Sequence, residues 1–197
     1  MSKVKFFLQE SWLLMVSAVL FGSLLALTQA AWGPRLRQNE IEKFNRLARN
    51  LLPQADSFVA LEEPVTIKSG RGIAERVEVK KGLDAQGNIV GWAFLCQGSG
   101  FADRIKLVVA ADAQFNKLAG FGVLSSNETP GFGDKITIPG GFFQSQFFGA
   151  PAETLELVKT GQPEEIDSRI VAISGATVSS QSVVDILNTC LAPIKEE

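Results

Sequence analysis

Two short stretches hold the side chains best placed to do chemistry. In Ser174-Gly175-Ala176-Thr177, two hydroxyls flank two of the smallest residues, and a run with helical spacing begins directly after them. A hydroxyl at a helix start can cap the orphan N–H groups of the first turn, and such caps are common. The same place is a ready anion site, because exposed donors and the helix dipole both favour negative charge. Gly175 and Ala176 leave a phosphate room to approach the backbone, and Val178 follows on the first turn. Thr177 therefore reads as a cap, as a non-covalent phosphate ligand, or as the acceptor of a phosphate ester. The second stretch is Asn127-Glu128-Thr129-Pro130-Gly131-Phe132-Gly133-Asp134-Lys135. Pro-Gly and the second glycine make a tight loop with an open backbone. It is either an ordinary connector or a ligand loop. As a ligand loop, Glu128, Thr129, Lys135 and the backbone at Gly131 could hydrogen-bond the edge of a flat heterocycle while Phe132 covers its face.

The composition narrows the alternatives. The chain has no His, which removes Ser-His and Cys-His nucleophile pairs and the commonest metal ligand. Cys96 and Cys190 lie far apart and form no CxxC pair, so a metal or thioredoxin-type site has no support. They read as two buried apolar thiols, with a disulfide open to them outside the cytoplasm. Lys plus Arg is 19 and Asp plus Glu is 21, a balance with no basic face for nucleic acid. No carboxylate pair, triad or metal cluster suggests an autonomous active site.

The elements that position these stretches follow from periodicity. Trp12 to Trp32 carries no charge and is long enough for about 30 Å of hydrocarbon. Trp at each end suits the interfacial aromatic belt. The run exceeds a signal peptide's apolar core, so a transmembrane anchor is expected. Lys3 and Lys5 precede the span and Arg35 and Arg37 follow it, so the flanking charge is nearly balanced; the expected orientation puts the short N-terminus in the cytoplasm and the larger domain outside. Gly33-Pro34 allows a new helix to start, in which Ile41, Phe44, Leu47, Ala48 and Leu51 share a face and which Pro53 ends. Small residues Gly22, Ser23 and Ala26 would let a partner helix approach the span closely.

Beyond Pro53 the period changes. Arg76 to Lys80 alternates as a half-buried strand does. Asp84 to Asn88 has turn chemistry, and Ile89–Cys96, Ile105–Ala111, Leu118–Leu124 and Thr154–Lys159 read as further strands. A short helix carrying Phe142, Phe143, Phe147 and Phe148 is expected to pack on the sheet. A closing helix follows from Val178 to Leu191, with Val183, Ile186, Leu187 and Cys190 on one face. No long helical patterns separate the strands, so a doubly wound parallel sheet is not expected. The expected fold class is α+β: one transmembrane helix, then a mostly antiparallel sheet with packed helices.

ETPGFGDK followed downstream by SGATVSS, behind one anchor, resembles the FMN-binding domain family. Within it, the pattern is most similar to the G subunit of Rnf-type ion-translocating ferredoxin:NAD oxidoreductases, with the C subunit of the sodium-translocating NADH:quinone reductase second. The resemblance runs from about Val65 to Leu191. It implies FMN joined by a phosphoester to Thr177 and installed by a flavin transferase. Glu128, Thr129, Gly131 and Phe132 would lie beside the flavin with Lys135 nearby, and Ser174, Gly175, Ala176 and Val178 would frame the attachment. Lys135 or Arg169 would balance the phosphodiester charge. Val171 stands where the attachment motif usually has an acidic residue, and Phe132 where Leu is frequent.

The implied segmentation is 1–10 cytoplasmic, 11–32 transmembrane, 33–56 stalk or docking helix, 57–193 FMN-binding domain and 194–197 tail. The implied role is an electron-transfer subunit of a bacterial inner-membrane redox complex, in contact with lipid and other subunits, with its FMN domain on the periplasmic side. Two alternatives stay open: a non-redox membrane-tethered binding or assembly module, or an FMN-carrying subunit of another respiratory complex.

Overall fold

The computed structural model of the chain describes residues 3–61, 63–68 and 74–196. Contacts divide it into two units, 1–42 and 43–197. Helix α1 (Lys3–Leu51) makes up the first unit and continues into the second. Where a fresh helix start was expected at Gly33-Pro34, α1 runs on with Pro34 inside it. From Ser11 onward α1 is long and apolar enough to cross a membrane. Leu13, Leu14, Leu20 and Leu25 are exposed along it. The hydroxyls of Ser17 and Thr28 donate to the carbonyls of Leu14 and Leu24 at 2.9 and 2.8 Å. These two hydroxyls are thus satisfied within the helix, as a low-dielectric surrounding favours.

The second unit is built on a five-stranded antiparallel sheet in the order β1 (Ser57–Ala60), β4 (Val79–Leu83), β5 (Ile89–Ser99), β6 (Arg104–Asp112) and β7 (Leu118–Ser125). Strands β4 to β7 form the expected meander. The alternating run around Arg76 divides between two sheets. Strand β3 (Ala74–Val77) pairs with β2 (Val65–Lys68), and β4 begins at Val79. The Asp84–Asn88 turn forms as its chemistry dictates: the Asp84 carboxylate accepts from the backbone N–H groups of Gln86 and Asn88, and Gly87 takes φ +84°.

Strand β6 is buried on both faces, which is why it reads as a continuous apolar run. Leu107, Val109 and Ala111 point to one core, and Val108 and Ala110 to the other, by strand alternation. The second core takes the end of α1, through Phe44, Ala48 and Leu52. Gly122 permits this approach, since a Cβ there would lie 2.9 Å from Leu47. The first core takes helix α3 (Thr177–Glu196), whose Val183, Ile186, Leu187 and Cys190 are all buried as expected.

The Phe-rich segment does half of what was expected. In α2 (Phe142–Ser145) and the turn after it, Phe143 and Phe147 pack edge-on against Phe121, while Phe142 and Phe148 are exposed. The parallel pair β8 (Glu156–Val158) and β9 (Arg169–Val171) completes the unit and leads into the α3 start. Cys96 on β5 and Cys190 on α3, whose pairing the sequence left open between buried thiols and a disulfide, are joined as a disulfide with Cα atoms 6.3 Å apart.

Candidate functional site

The two chemically suggestive stretches meet at the beginning of α3. The chain leaves β9 and turns at Gly175, whose φ of +80° is costly for any residue with a Cβ. Ala176 N–H closes this turn on the Ile173 carbonyl, and Ser180 N–H makes the first helical bond, to Ala176. Ser180 also does the local side-chain bonding, accepting from Ile173 N–H and donating to the Ala176 carbonyl. Thr177 is left free of capping duty. Among the described residues, no group hydrogen-bonds its hydroxyl, and the backbone N–H groups of Thr177, Val178 and Ser179 have no acceptor.

A cavity of about 440 Å³ opens at this helix start, lined by Thr129, Phe132, Gly133, Gly175, Ala176, Thr177, Val178, Ser179 and Phe101. The Phe132 ring lies across Gly175, 3.5 Å from where a Cβ would sit. Phe132, Phe101 and Val178 are more than half exposed at 55, 67 and 57 %, so the mouth is apolar and open to a flat partner. Of the residues singled out from sequence, Thr129, Phe132, Gly175, Ala176, Thr177 and Val178 come together here. Gly131 and Ser174 sit on adjoining turns, both exposed. Lys135 is exposed on the short 3-10 turn Gly133–Thr137, and Arg169 starts β9; neither lines the cavity.

Glu128 has a different placement from the one its type suggests. It is 5 % exposed and its carboxylate points into the protein. One oxygen accepts from the N–H groups of Phe101 and Ala102 at 2.9 and 3.1 Å, and the other accepts from Ser179 Oγ at 2.5 Å. Gly100 and Gly133 close around it, for a Cβ at either would fall within 3 Å of a carboxylate oxygen. A loop carboxylate ringed by three donors is a strut, not an open ligand group. Phe101, Gly133 and Ser179 are the residues that sequence reasoning passed over as cavity walls. The signal available was the glycine repeat in Gly131-Phe132-Gly133, for Gly133 alone.

Nearby, Asp103 holds the other side of the Phe101 loop. Its carboxyl lies below the ordinary carboxylate range, chiefly through the Arg104 N–H and then the Asn127 side chain at 2.8 Å. Asp134 Oδ1, in the 3-10 turn that follows Phe132, is buried and has no partner among the described residues. Val171, where an acidic residue was expected, is buried, and its N–H donates to Gln146 Oε1 at 2.7 Å. Among the described residues, no group of His, Cys, Asp or Glu could hold a metal ion.

The FMN-binding domain model matches residues 100–192, which contain every wall of the cavity. The G subunit of the ion-translocating oxidoreductase complex from Methanosarcina acetivorans is 35% identical over 91% of this chain and 89% of its own length. The chain belongs to that family of G subunits. A second member, the G subunit of the Na(+)-translocating ferredoxin:NAD(+) oxidoreductase complex of Acetobacterium woodii, is 26% identical over 89% of the chain and 86% of the relative. Among solved structures, NqrC of Shewanella oneidensis superposes with a TM-score of 0.55 at 26% identity, covering 69% of this chain and 65% of that one. The C subunit of the Na(+)-translocating NADH-quinone reductase of Parabacteroides distasonis gives 0.52 at 18% identity, covering 82% and 95%, and shares the fold.

The residues present fit FMN. A phosphate has three unpartnered N–H groups at a helix start and a free hydroxyl beside them. A flat ring has Phe132 and Phe101 at the mouth.

Proposed function

We propose that this chain is the membrane-anchored, FMN-carrying subunit that relays electrons within an ion-translocating ferredoxin:NAD oxidoreductase, and that FMN is held through a phosphoester to Thr177. The observation that carries this reading is the Thr177 hydroxyl. It is half-buried, uncommitted within the protein, and placed at the open donor end of α3 in a cavity that both motifs line. FMN supplies the redox chemistry when bound; the protein supplies attachment, orientation and electrostatics.

The chain's own residues have distinct tasks. The N–H groups of Thr177, Val178 and Ser179, aided by the helix dipole, stabilise phosphate charge. Gly175 makes the positive-φ turn that presents the start of α3. Phe132 and Phe101 cover the ring while leaving an edge in reach of a partner, and Thr129 offers a hydroxyl at the wall. Lys135 and Arg169 stand outside the lining and act on the phosphate only at longer range. Glu128 joins the two halves of the site without touching the ligand.

The remaining parts of the reading are proposed with it. Segment 11–32 spans the membrane, 33–56 docks, and the FMN domain stands on the extracytoplasmic side. Other subunits of the complex and lipid surround the anchor, and a flavin transferase loads Thr177. In-gel flavin fluorescence of denatured protein tests the attachment. The band is expected in wild type and in Ser174→Ala, and lost in Thr177→Ala. A dark wild-type band from a host with the transferase overturns covalent attachment, and native protein without FMN overturns the flavoprotein reading itself.

A further inference from the structure

Cys96 and Cys190 are each 0 % exposed. Their Cα separation of 6.3 Å falls in the range of roughly 4.4–6.8 Å that a disulfide bridges without backbone movement. They are separated by 94 residues and belong to the same buried core as Phe94, Leu107 and Leu187. The sequence contains only these two cysteines, so no third thiol can exchange with the bond from within the chain. The bond fastens α3, the helix that starts at Thr177, to the middle of the sheet.

We infer that Cys96–Cys190 is a sealed structural disulfide, made before α3 closes on the sheet and out of reach of thiol reagents afterwards. Thiol–disulfide exchange needs a thiolate to approach a sulfur directly, and the folded domain exposes neither one. Oxidation therefore belongs to the unfolded or half-closed chain. Each cysteine gives up its thiol proton, and together they pass two electrons to a disulfide-bonded oxidant protein. That oxidant leaves as a dithiol while the Cys96–Cys190 bond forms. This rests on the reading that the domain folds on the oxidising side of the membrane, where such bonds persist. It also separates this pair from a redox switch, which needs exposed sulfur.

The test uses the full-length protein, purified in detergent without reductant. Alkylation with a maleimide in denaturant is expected to add nothing, and prior reduction in denaturant to allow two adducts. Under native conditions a phosphine reductant is expected to leave the bond intact, with reduction appearing only as denaturant opens the fold. The double variant Cys96→Ala/Cys190→Ala is expected to lower Tm by roughly 10 °C. If that variant does not fold, the reduction rates of wild type still decide. Two adducts without reduction, or rapid reduction of the native protein, would overturn the inference. Protease digestion of spheroplasts reads the side of the membrane separately, so a domain on the wrong side is told apart from a domain that never forms its bond.

Discussion

Ser179 on the first turn of α3 donates a 2.5 Å hydrogen bond to Glu128, the first residue of the ETPG loop, and the same carboxylate holds the N–H groups of Phe101 and Ala102. Three separate segments that line the cavity are thereby fixed by a single buried side chain. Removing it should disturb the site as a whole before it disturbs any one wall. Glu128→Ala strands three donors, and is expected to cost about 3 kcal/mol and lower Tm by roughly 6–12 °C. Glu128→Gln keeps the shape and one acceptor and should cost less than half of that. Thermal denaturation of the two variants side by side checks the order; equal effects would mean that the donors find other partners.

The two loop glycines should behave differently. At Gly133 a Cβ would lie 2.6 Å from Ser179 Oγ and 2.8 Å from a Glu128 oxygen. Gly133→Ala is therefore an overpacking change worth about 1–3 kcal/mol, and it should also reduce flavin loading. At Gly131 the space is open and the difficulty is φ of +79°. Gly131→Ala should cost about 1 kcal/mol through backbone strain alone, with loading less affected. Denaturant titration together with the flavin-to-protein absorbance ratio separates the two.

Thr177 offers a sharp contrast between function and stability. Its hydroxyl has no partner among the described residues, so Thr177→Ala in protein made without the transferase should stay within about 0.5 kcal/mol of wild type. A helix cap would cost about 1 kcal/mol instead. The same substitution should abolish covalent flavin, while Thr177→Ser should retain a measurable part of it. A loss near the capping value would return Thr177 to a structural role.

Acid should loosen the loops around Asp84 and Asp103 before it affects the core. Both carboxyls sit below their ordinary value of 3.8. Asp84 is lowered first by the Asn88 side chain and then by the Asn88 N–H, and Asp103 first by the Arg104 N–H. A depressed folded-state pKa contributes stability that is complete above the unfolded value and is lost as pH falls through the folded one. The slope of stability against pH should therefore flatten below pH ~4 in Asp103→Asn relative to wild type. Carboxyl-carbon NMR titration of Asp84 and Asp103 tests the direction directly.

The sheet was readable because its physics is local. Ile105 to Ala111 is apolar on both alternations because β6 is covered on both faces, and Asp84-Ala85-Gln86-Gly87-Asn88 has the side chains that its turn requires. The closing helix was readable from the spacing of Val183, Ile186, Leu187 and Cys190. Pro34 misled because proline is allowed near a helix start and costly within one, and a long helix can absorb that cost. Phe142 and Phe148 could not be told from Phe143 and Phe147, since so short a helix has no period to sort them.

At the site, the two motifs holding Thr177, Phe132 and Gly175 were legible as local patterns, but only the family resemblance, not any local pattern, brought them together. Their meeting depends on the Glu128–Ser179 bond between residues 51 apart in the chain, and no local pattern marks which way a carboxylate turns. The Cys96–Cys190 pairing was hidden for the same reason: separation along the chain says nothing of proximity across a sheet.

Helix α3 is fastened at several points: by Ser179 to Glu128, by Asn188, whose side chain takes both the N–H and the carbonyl of Leu155, and by Cys190 to Cys96. A rod clamped near its base and twice just past its middle has no elbow between those points. A group carried at Thr177 can then travel only as far as its own linker permits, and any longer excursion toward a donor or acceptor has to be made by the whole domain moving as one piece.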